Sequence, residues 1–172
     1  YFEEFKATSK KVIVIDSLRT ETVEFFGADH IAIRPHTDVA MMLGVAHALY
    51  SEGLHDQDFL DEYTSGFDDF LPYLLGETDD TPKTPEWAAE ICDVPAETIV
   101  ALAETFAANR TMLGSGWSIQ RQHHGEQSHW MLVTLASMLG QIGLPGGGFG
   151  LSYHYANGGA PSHKALALGA IP

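Results

Sequence analysis

The sequence predicts an α/β fold, an open and largely parallel sheet flanked by helices. Three observations carry this expectation. Short β-branched or apolar runs alternate along the chain with stretches whose apolar residues recur at helical spacing. With 172 residues, 45% of them hydrophobic and 19% charged, the chain can bury a substantial core. There is no internal repeat, heptad pattern or long linker.

Residues 11–16 (KVIVID) read as a buried strand ending in an acid, after which SLRTET turns the chain. Residues 30–34 (HIAIR) alternate and are closed by Pro35, which predicts a second strand. Asp38 is suited to N-cap a helix with Val39, Met42, Leu43, Ala46 and Leu49 on one face, ending near Gly53. Residues 56–63 and 67–75 read as two short helices, and 76–84 (GETDDTPKT) as an acidic, turn-rich loop. Thr84-Pro85 opens another helix, with proline where its missing N–H does no harm. Pro95 opens the next, whose buried stripe is Ile99, Leu102, Ala103 and Phe106.

Arg110 to Leu113 predicts a third strand, running into Gly114-Ser115-Gly116. A polar loop follows, then a helix over 127–139 that is apolar almost all round and therefore expected to be buried. The end of the chain holds Gly146, Gly147, Gly148 and Gly150, then aromatics and Gly158-Gly159. We treat residues 1–172 as one unit, with a first strand pair and helices over 1–75, the loop 76–84, and helices, third strand and glycine-rich segment over 85–172. Tyr1 in place of Met, and the apolar stop at Ala170-Ile171-Pro172, lead us to expect a piece of a longer chain.

Charge removes several function classes. Nine Lys and Arg stand against 23 Asp and Glu, a formal net charge of −14. Binding nucleic acid through its phosphates needs a cationic surface, and so does docking on an anionic membrane. No apolar run approaches the roughly 20 residues that span a bilayer. A single cysteine, Cys92, excludes an internal disulfide and any all-cysteine metal site, and with no cationic neighbour in sequence it reads as structural.

In open α/β sheets ligands gather at the carboxyl ends of strands. The first strand ends in Asp16, whose carboxylate can accept from a ribose or from the N–H edge of guanine. The third ends in Gly114-x-Gly116, where backbone can approach a ligand closely. Together they look like half of a dinucleotide site, although GSGWSI is not the GxGxxG fingerprint and the acid precedes the glycines. The other reading is a pair of ordinary turns. Residues 117–127 (WSIQRQHHGEQ) concentrate donors and acceptors suited to phosphates and heterocycle edges, with Arg121 able to grip a diphosphate bidentately; the other reading is a solvated loop. His123, His124 and His129 match no metal-ligand spacing. The run Gly143–Gly150 lacks the Lys-Ser/Thr of a phosphate loop, and its glycines allow backbone to pass close to another chain segment or a large ligand.

The stretch TMLGSGWSIQRQHHGEQSHWMLVTLASMLGQIGLPGGGFGLSYHYANGGAP closely resembles the central part of the molybdenum oxidoreductases of the dimethyl sulfoxide reductase family. The nearest branch reduces trimethylamine N-oxide, dimethyl sulfoxide and biotin sulfoxide. VIVIDSLRTET, IRPHTDVAMMLGVAHAL and TPEWAAEICDVPAETIVALA resemble further blocks of it, so the resemblance covers nearly the whole chain. It implies a Rossmann-like piece of a larger, multi-domain molybdoenzyme, and a bis(molybdopterin guanine dinucleotide) molybdenum cofactor. It further implies that Asp16 and Ser17 contact a guanosine. His36, Thr37 and Asp38 match a dinucleotide-binding segment that is more usually QTD, so His36 departs from the pattern.

Gly116, Trp117, Ser118 and Arg121 match the loop against the pterin, with Gln120, Gln122 and Gly146–Gly148 in support. The serine that ligates the metal is expected outside this chain, so the chain alone is expected to be inactive and to self-associate over its apolar surfaces. The implied partners are a small S-oxide or N-oxide substrate and an electron donor such as a c-type cytochrome or reductant protein. Neither nucleic acid nor membrane insertion is expected. The implied compartment is the periplasm, or the cytoplasm for a biotin sulfoxide reductase. Rival readings are a formate dehydrogenase or nitrate reductase of the same family, and a non-catalytic nucleotide-binding module.

Overall fold

The computed structural model describes residues 2–8 and 10–151; Gly158-Gly159 and the neighbouring aromatics lie outside the described residues. The element order is α1 (Phe2–Ala7), β1 (Ile13–Ile15), α2 (Glu21–Phe26), β2 (Asp29–Ile31), α3 (Asp38–Ser51), α4 (Gln57–Tyr63), α5 (Phe67–Leu74), α6 (Pro85–Cys92), α7 (Ala96–Ala108), β3 (Met112–Ser115), a 3-10 turn (Trp117–Gln120), α8 (Glu126–Met138) and β4 (Gly148–Leu151). The α/β class with parallel strands holds. Among the described residues the strands form two separate parallel pairs, β1–β2 and β3–β4. Ile15 lies opposite Ile31, and Ser115 opposite Leu151, so each pair presents two carboxyl ends at one edge.

The core is helical. α3 packs against α6, α7 and α8, and Val45, Leu49, Leu74, Ile99, Val94 and Met138 are almost wholly buried. Burying one such side chain contributes about 1.5–3 kcal/mol, so this helix cluster is what holds the strand pairs in place. α3 is buried on more than one face, from Met41 through Ala46 and again at Ala48 and Leu49. The stripe expected for α7 is the one observed: Ile99, Leu102, Ala103 and Phe106.

Several local details differ from the sequence expectation. SLRTET is only partly a turn: α2 starts at Glu21, buries Val23 and ends on Gly27 in the left-handed region. Two turns of helix are too short for a 3.6-residue periodicity to register. Asp38 is the first residue of α3, and Thr37 occupies the cap position without a side-chain cap bond. α8 buries Met131, Leu132, Leu135, Ala136 and Met138, but Trp130 is 68% exposed, so the helix is not covered all round. The glycine run leads into β4, and there the close passage is against chain: a Cβ on Gly147 would lie 2.9 Å from Arg110 Cδ and 3.0 Å from Gln141 Cβ.

The acidic loop 76–84 is anchored from within. Lys83 is 2% exposed; its Nζ donates to both oxygens of Asp79, at 2.9 and 2.8 Å, and to the Thr81 carbonyl. The same ammonium stands 4.3 Å from the centre of the Tyr73 ring and 5.6 Å from that of Trp87. A buried lysine is tolerable only when paired and surrounded in this way. Downstream, Thr84 caps α6 by accepting from Trp87 N–H at 3.2 Å.

Candidate functional site

The parallel pairing of β1 and β2 brings the first group of predicted residues together. Asp16 follows β1 directly; its N–H donates to the Ile31 carbonyl at 3.2 Å, and His30 donates through Nε2 to the Asp16 carbonyl at 3.0 Å. Its Oδ1 accepts from Leu18 N–H at 3.0 Å, which curls Ser17 and Leu18 outward. Ser17 is exposed, and Asp16 is half-buried. On the neighbouring strand the chain leaves β2 through Ile33, Arg34 and Pro35 and turns at His36, a non-glycine residue at φ +64°. Thr37 Oγ1 donates to the Arg34 carbonyl at 2.6 Å and closes that turn at the N-terminus of α3.

Electrostatics tie this group together. Burial raises the pKa of Asp38 above the ordinary 3.8; its own backbone N–H and the His36 imidazole pull it down, and the Asp16 carboxylate pushes it up. Asp16, His36 and Asp38 therefore share one local field at the edge where β1 and β2 end. Two carboxyls and an imidazole there offer acceptors for an N–H edge or a sugar hydroxyl, beside the partial positive charge of a 14-residue helix.

The second group sits at the carboxyl end of β3. Gly116 leads into the 3-10 turn, and Arg121 N–H donates to the Ser118 carbonyl at 2.9 Å. Gln122 braces the loop from behind, donating through Nε2 to the Ile119 carbonyl at 2.9 Å and to Ser128 Oγ at 3.3 Å. Gly125 is required by close approach, since a Cβ there would overlap the Gln120 carbonyl oxygen. With the loop held from one side, Trp117, Ser118, Gln120 and Arg121 are left exposed on the other. The two groups of predicted residues thus occupy two different strand pairs.

Three further residues have places in the structure that their sequence context does not signal. Ser115 Oγ and His129 Nε2 flank the loop on β3 and α8 and are buried without a hydrogen-bond partner among the described residues. In sequence Ser115 stands out only by its place between two glycines, and His129 only by its failure to match a metal-ligand spacing. Arg34 is the third: its guanidinium holds Asp93 and the Ile91 carbonyl, 59 and 57 residues away in sequence. Among the described residues no group of three or more His, Cys, Asp or Glu is arranged to hold a metal ion, and no helix is long and apolar enough to cross a membrane. Cys92 is buried, and burial is the main cause of its raised thiol pKa. A broad groove of about 1240 Å³ runs between α4, α5 and α8, with Tyr63, Tyr73, Trp130 and Leu144 exposed along it.

The family model for molybdopterin oxidoreductases matches residues 1–172, the whole chain. The chain belongs to the molybdopterin oxidoreductase family. It is 69% identical over 169 residues to the dimethyl sulfoxide/trimethylamine N-oxide reductase of Rhodobacter capsulatus, covering 98% of this chain and 20% of that protein. It is 60% identical over 171 residues to the trimethylamine-N-oxide reductase of Haemophilus influenzae, covering 99% of this chain and 21% of that one. The chain spans about a fifth of the length of the curated relatives it matches. Among solved structures, acetylene hydratase from Pelobacter acetylenicus superposes with a TM-score of 0.68 at 24% identity, over 83% of this chain and 19% of that one; this likeness concerns the fold.

Membership implies a molybdenum–molybdopterin cofactor, and the residues present fit a group of that chemistry. Among the described residues Ser115 Oγ and His129 Nε2 are buried polar atoms without a partner, beside the exposed donors of the 117–121 loop. A buried polar group without a partner is costly, and a bound group that offers it a hydrogen bond removes that cost.

Proposed function

We propose that this chain is the segment of an S-oxide or N-oxide reductase that binds molybdopterin guanine dinucleotide, in the form of a bis(molybdopterin guanine dinucleotide) molybdenum cofactor. The observation that carries the reading is the placement of Asp16 and of the turn His36–Asp38 at the same carboxyl edge of the β1–β2 pair, in a chain 69% identical to a dimethyl sulfoxide/trimethylamine N-oxide reductase. Asp16 and Asp38 accept from the guanine N–H edge or the ribose, Ser17 and Thr37 border them, and His36 stands where the family more usually has Gln. Trp117, Ser118 and Arg121 face the pterin, with Gly116 allowing close approach and Gln120 in support.

The cofactor, when bound, supplies oxygen-atom transfer between an oxide and the metal. This chain's residues bind and orient it: the carboxylates fix the nucleotide end, while Arg121 adds a permanent cation suited to a diphosphate. The serine that ligates the metal belongs to another part of the polypeptide. The same reading takes trimethylamine N-oxide, dimethyl sulfoxide and biotin or methionine sulfoxide as the substrate class. It assigns a c-type cytochrome or reductant protein as electron donor in anaerobic respiration, and the periplasm as compartment, with the cytoplasm for a biotin sulfoxide reductase. It includes self-association of the isolated chain over the groove lined by Tyr63 and Trp130; a single monomeric peak in light scattering at high concentration overturns that part.

The test is oxidation of a reduced viologen by these oxides, using the full-length protein made in a host that synthesises the cofactor. Oxide-dependent turnover proportional to molybdenum content is the expected result. Turnover with formate or nitrate and none with oxides would move the chain to another branch of the family, and guanine-nucleotide binding without redox activity would leave a non-catalytic module.

A further inference from the structure

We infer that Arg34 is a positioning residue for cofactor binding, the one that sets the conformation of the turn carrying His36, Thr37 and Asp38. The inference rests on the reading that this turn holds the guanosine end of the cofactor.

Arg34 lies between two attachments. On one side it grips the end of α6: its backbone N–H donates to the Cys92 carbonyl at 2.9 Å, NH1 to the Ile91 carbonyl at 2.9 Å, and Nε and NH2 to Asp93 Oδ2 at 3.2 and 2.7 Å. These carbonyls close a helix C-terminus, where a cation is favoured and where donors are otherwise lacking. Asp93 completes the grip from a left-handed backbone at φ +62°, a conformation that Asp and Asn tolerate better than most residues.

On the other side the Arg34 carbonyl accepts from Thr37 Oγ1 at 2.6 Å, while the Thr37 carbonyl accepts Met41 N–H at 3.2 Å and so joins the first turn of α3. Between the two attachments the chain has only Pro35, with its fixed φ, and His36 at φ +64°. Where Asp38 enters its shared field with His36 and Asp16 is therefore set by how Arg34 is held, although Arg34 itself reaches α6. Lysine cannot replace it fully, because one ammonium lacks the planar fork that spans a carbonyl and a carboxylate together.

The experiment uses the full-length, cofactor-loaded protein and follows loss of guanine nucleotide with time, read as GMP released by acid hydrolysis from the protein fraction, below the melting transition. The variants are Arg34→Ala, Arg34→Lys, Asp93→Asn, the Arg34→Ala/Asp93→Asn double, and Asp38→Ala as the contact benchmark. Arg34→Ala and Asp93→Asn are expected to accelerate loss about threefold to fivefold, the size that a solvent-accessible ion pair supports. The double should be no faster than Arg34→Ala, and Arg34→Lys should fall between. Lowered melting temperatures with wild-type rates of loss would make Arg34 merely structural and overturn the inference. Fast loss in Asp38→Ala with wild-type rates in the Arg34 and Asp93 variants overturns the positioning role alone. Wild-type retention in Asp38→Ala as well overturns the reading of the turn, and the positioning role falls with it. If Arg34→Ala does not fold, Asp93→Asn, which keeps a residue tolerant of the left-handed backbone, makes the same comparison.

Discussion

Replacing Asp38 by Asn separates what this carboxyl does for the fold from what it does for a bound nucleotide. Burial is the largest influence on it and raises its pKa above 3.8, with Asp16 adding to the rise and the Asp38 backbone N–H and His36 opposing it. A carboxyl that binds its proton more tightly in the folded chain than in the unfolded chain lowers stability at neutral pH. That cost disappears as the pH falls through the folded pKa toward the unfolded one. Asn carries no charge, so the stability of the wild type relative to Asp38→Asn should rise on acidification from pH 7 toward pH 4. Opposing this, a carboxylate in the first turn of α3 interacts favourably with the helix dipole, by about 0.3–1 kcal/mol. The unloaded protein at pH 7 should therefore change by less than about 1 kcal/mol, given these offsetting effects. The nucleotide side is larger: a hydrogen bond donated to a charged acceptor contributes about 1.5–3 kcal/mol, so guanine binding should weaken roughly 10- to 150-fold. The assay is paired, with denaturant unfolding of the unloaded full-length protein at several pH values and GMP content of the loaded protein. Wild-type retention of guanine by Asp38→Asn, or a wild-type stability advantage that grows with rising pH, would refute the reasoning.

The other expectations are narrower. Gly125→Ala must displace the Gln120 carbonyl that a Cβ would overlap; the loop 117–121 should become protease-sensitive in the unloaded protein, and molybdenum retention should fall. Arg121→Ala removes an exposed charged donor, so cofactor retention should weaken by about 1.5–3 kcal/mol with little change in thermal stability, as molybdenum loss and melting temperature will report. Thr84→Ala loses the cap bond to Trp87 N–H and should cost about 1 kcal/mol in denaturant unfolding, whereas Thr84→Ser should keep most of it. Cys92 is buried with its thiol pKa raised by that burial, so peptide mapping after iodoacetamide at pH 8 should find it unlabelled in the folded protein and labelled in urea.

Helices with periodic faces and chemical punctuation were legible from sequence. The Thr84-Pro85 start of α6 and the Ile99–Phe106 stripe of α7 are observed as expected, because capping and amphipathicity are local properties. α2 was not legible, since six residues give no periodicity, and its end on a left-handed Gly27 is a backbone property. Nor was the separation of the strands into two pairs, which depends on the partner each edge finds. Of the candidate site, the strand ends that place Asp16 and Gly116 are legible locally, because each follows a short apolar run. The grouping of Asp16 with His36 and Asp38 needed the parallel register of Ile15 with Ile31. Arg34 was invisible because its partners lie 57 and 59 residues away. Lys83 looked like one more polar loop residue, and only tertiary packing between Tyr73 and Trp87 makes it the anchor of that loop.

The central claim is that this segment touches both the nucleotide and the pterin portions of the cofactor. Hydrogen–deuterium exchange on the full-length protein, with and without cofactor, tests it most directly. The account predicts slower exchange on loading in peptides covering residues 16–18, 36–38 and 116–121, with the α6–α7 helices little changed. Unchanged exchange in all three peptides, with protection confined to other parts of the polypeptide, would contradict it.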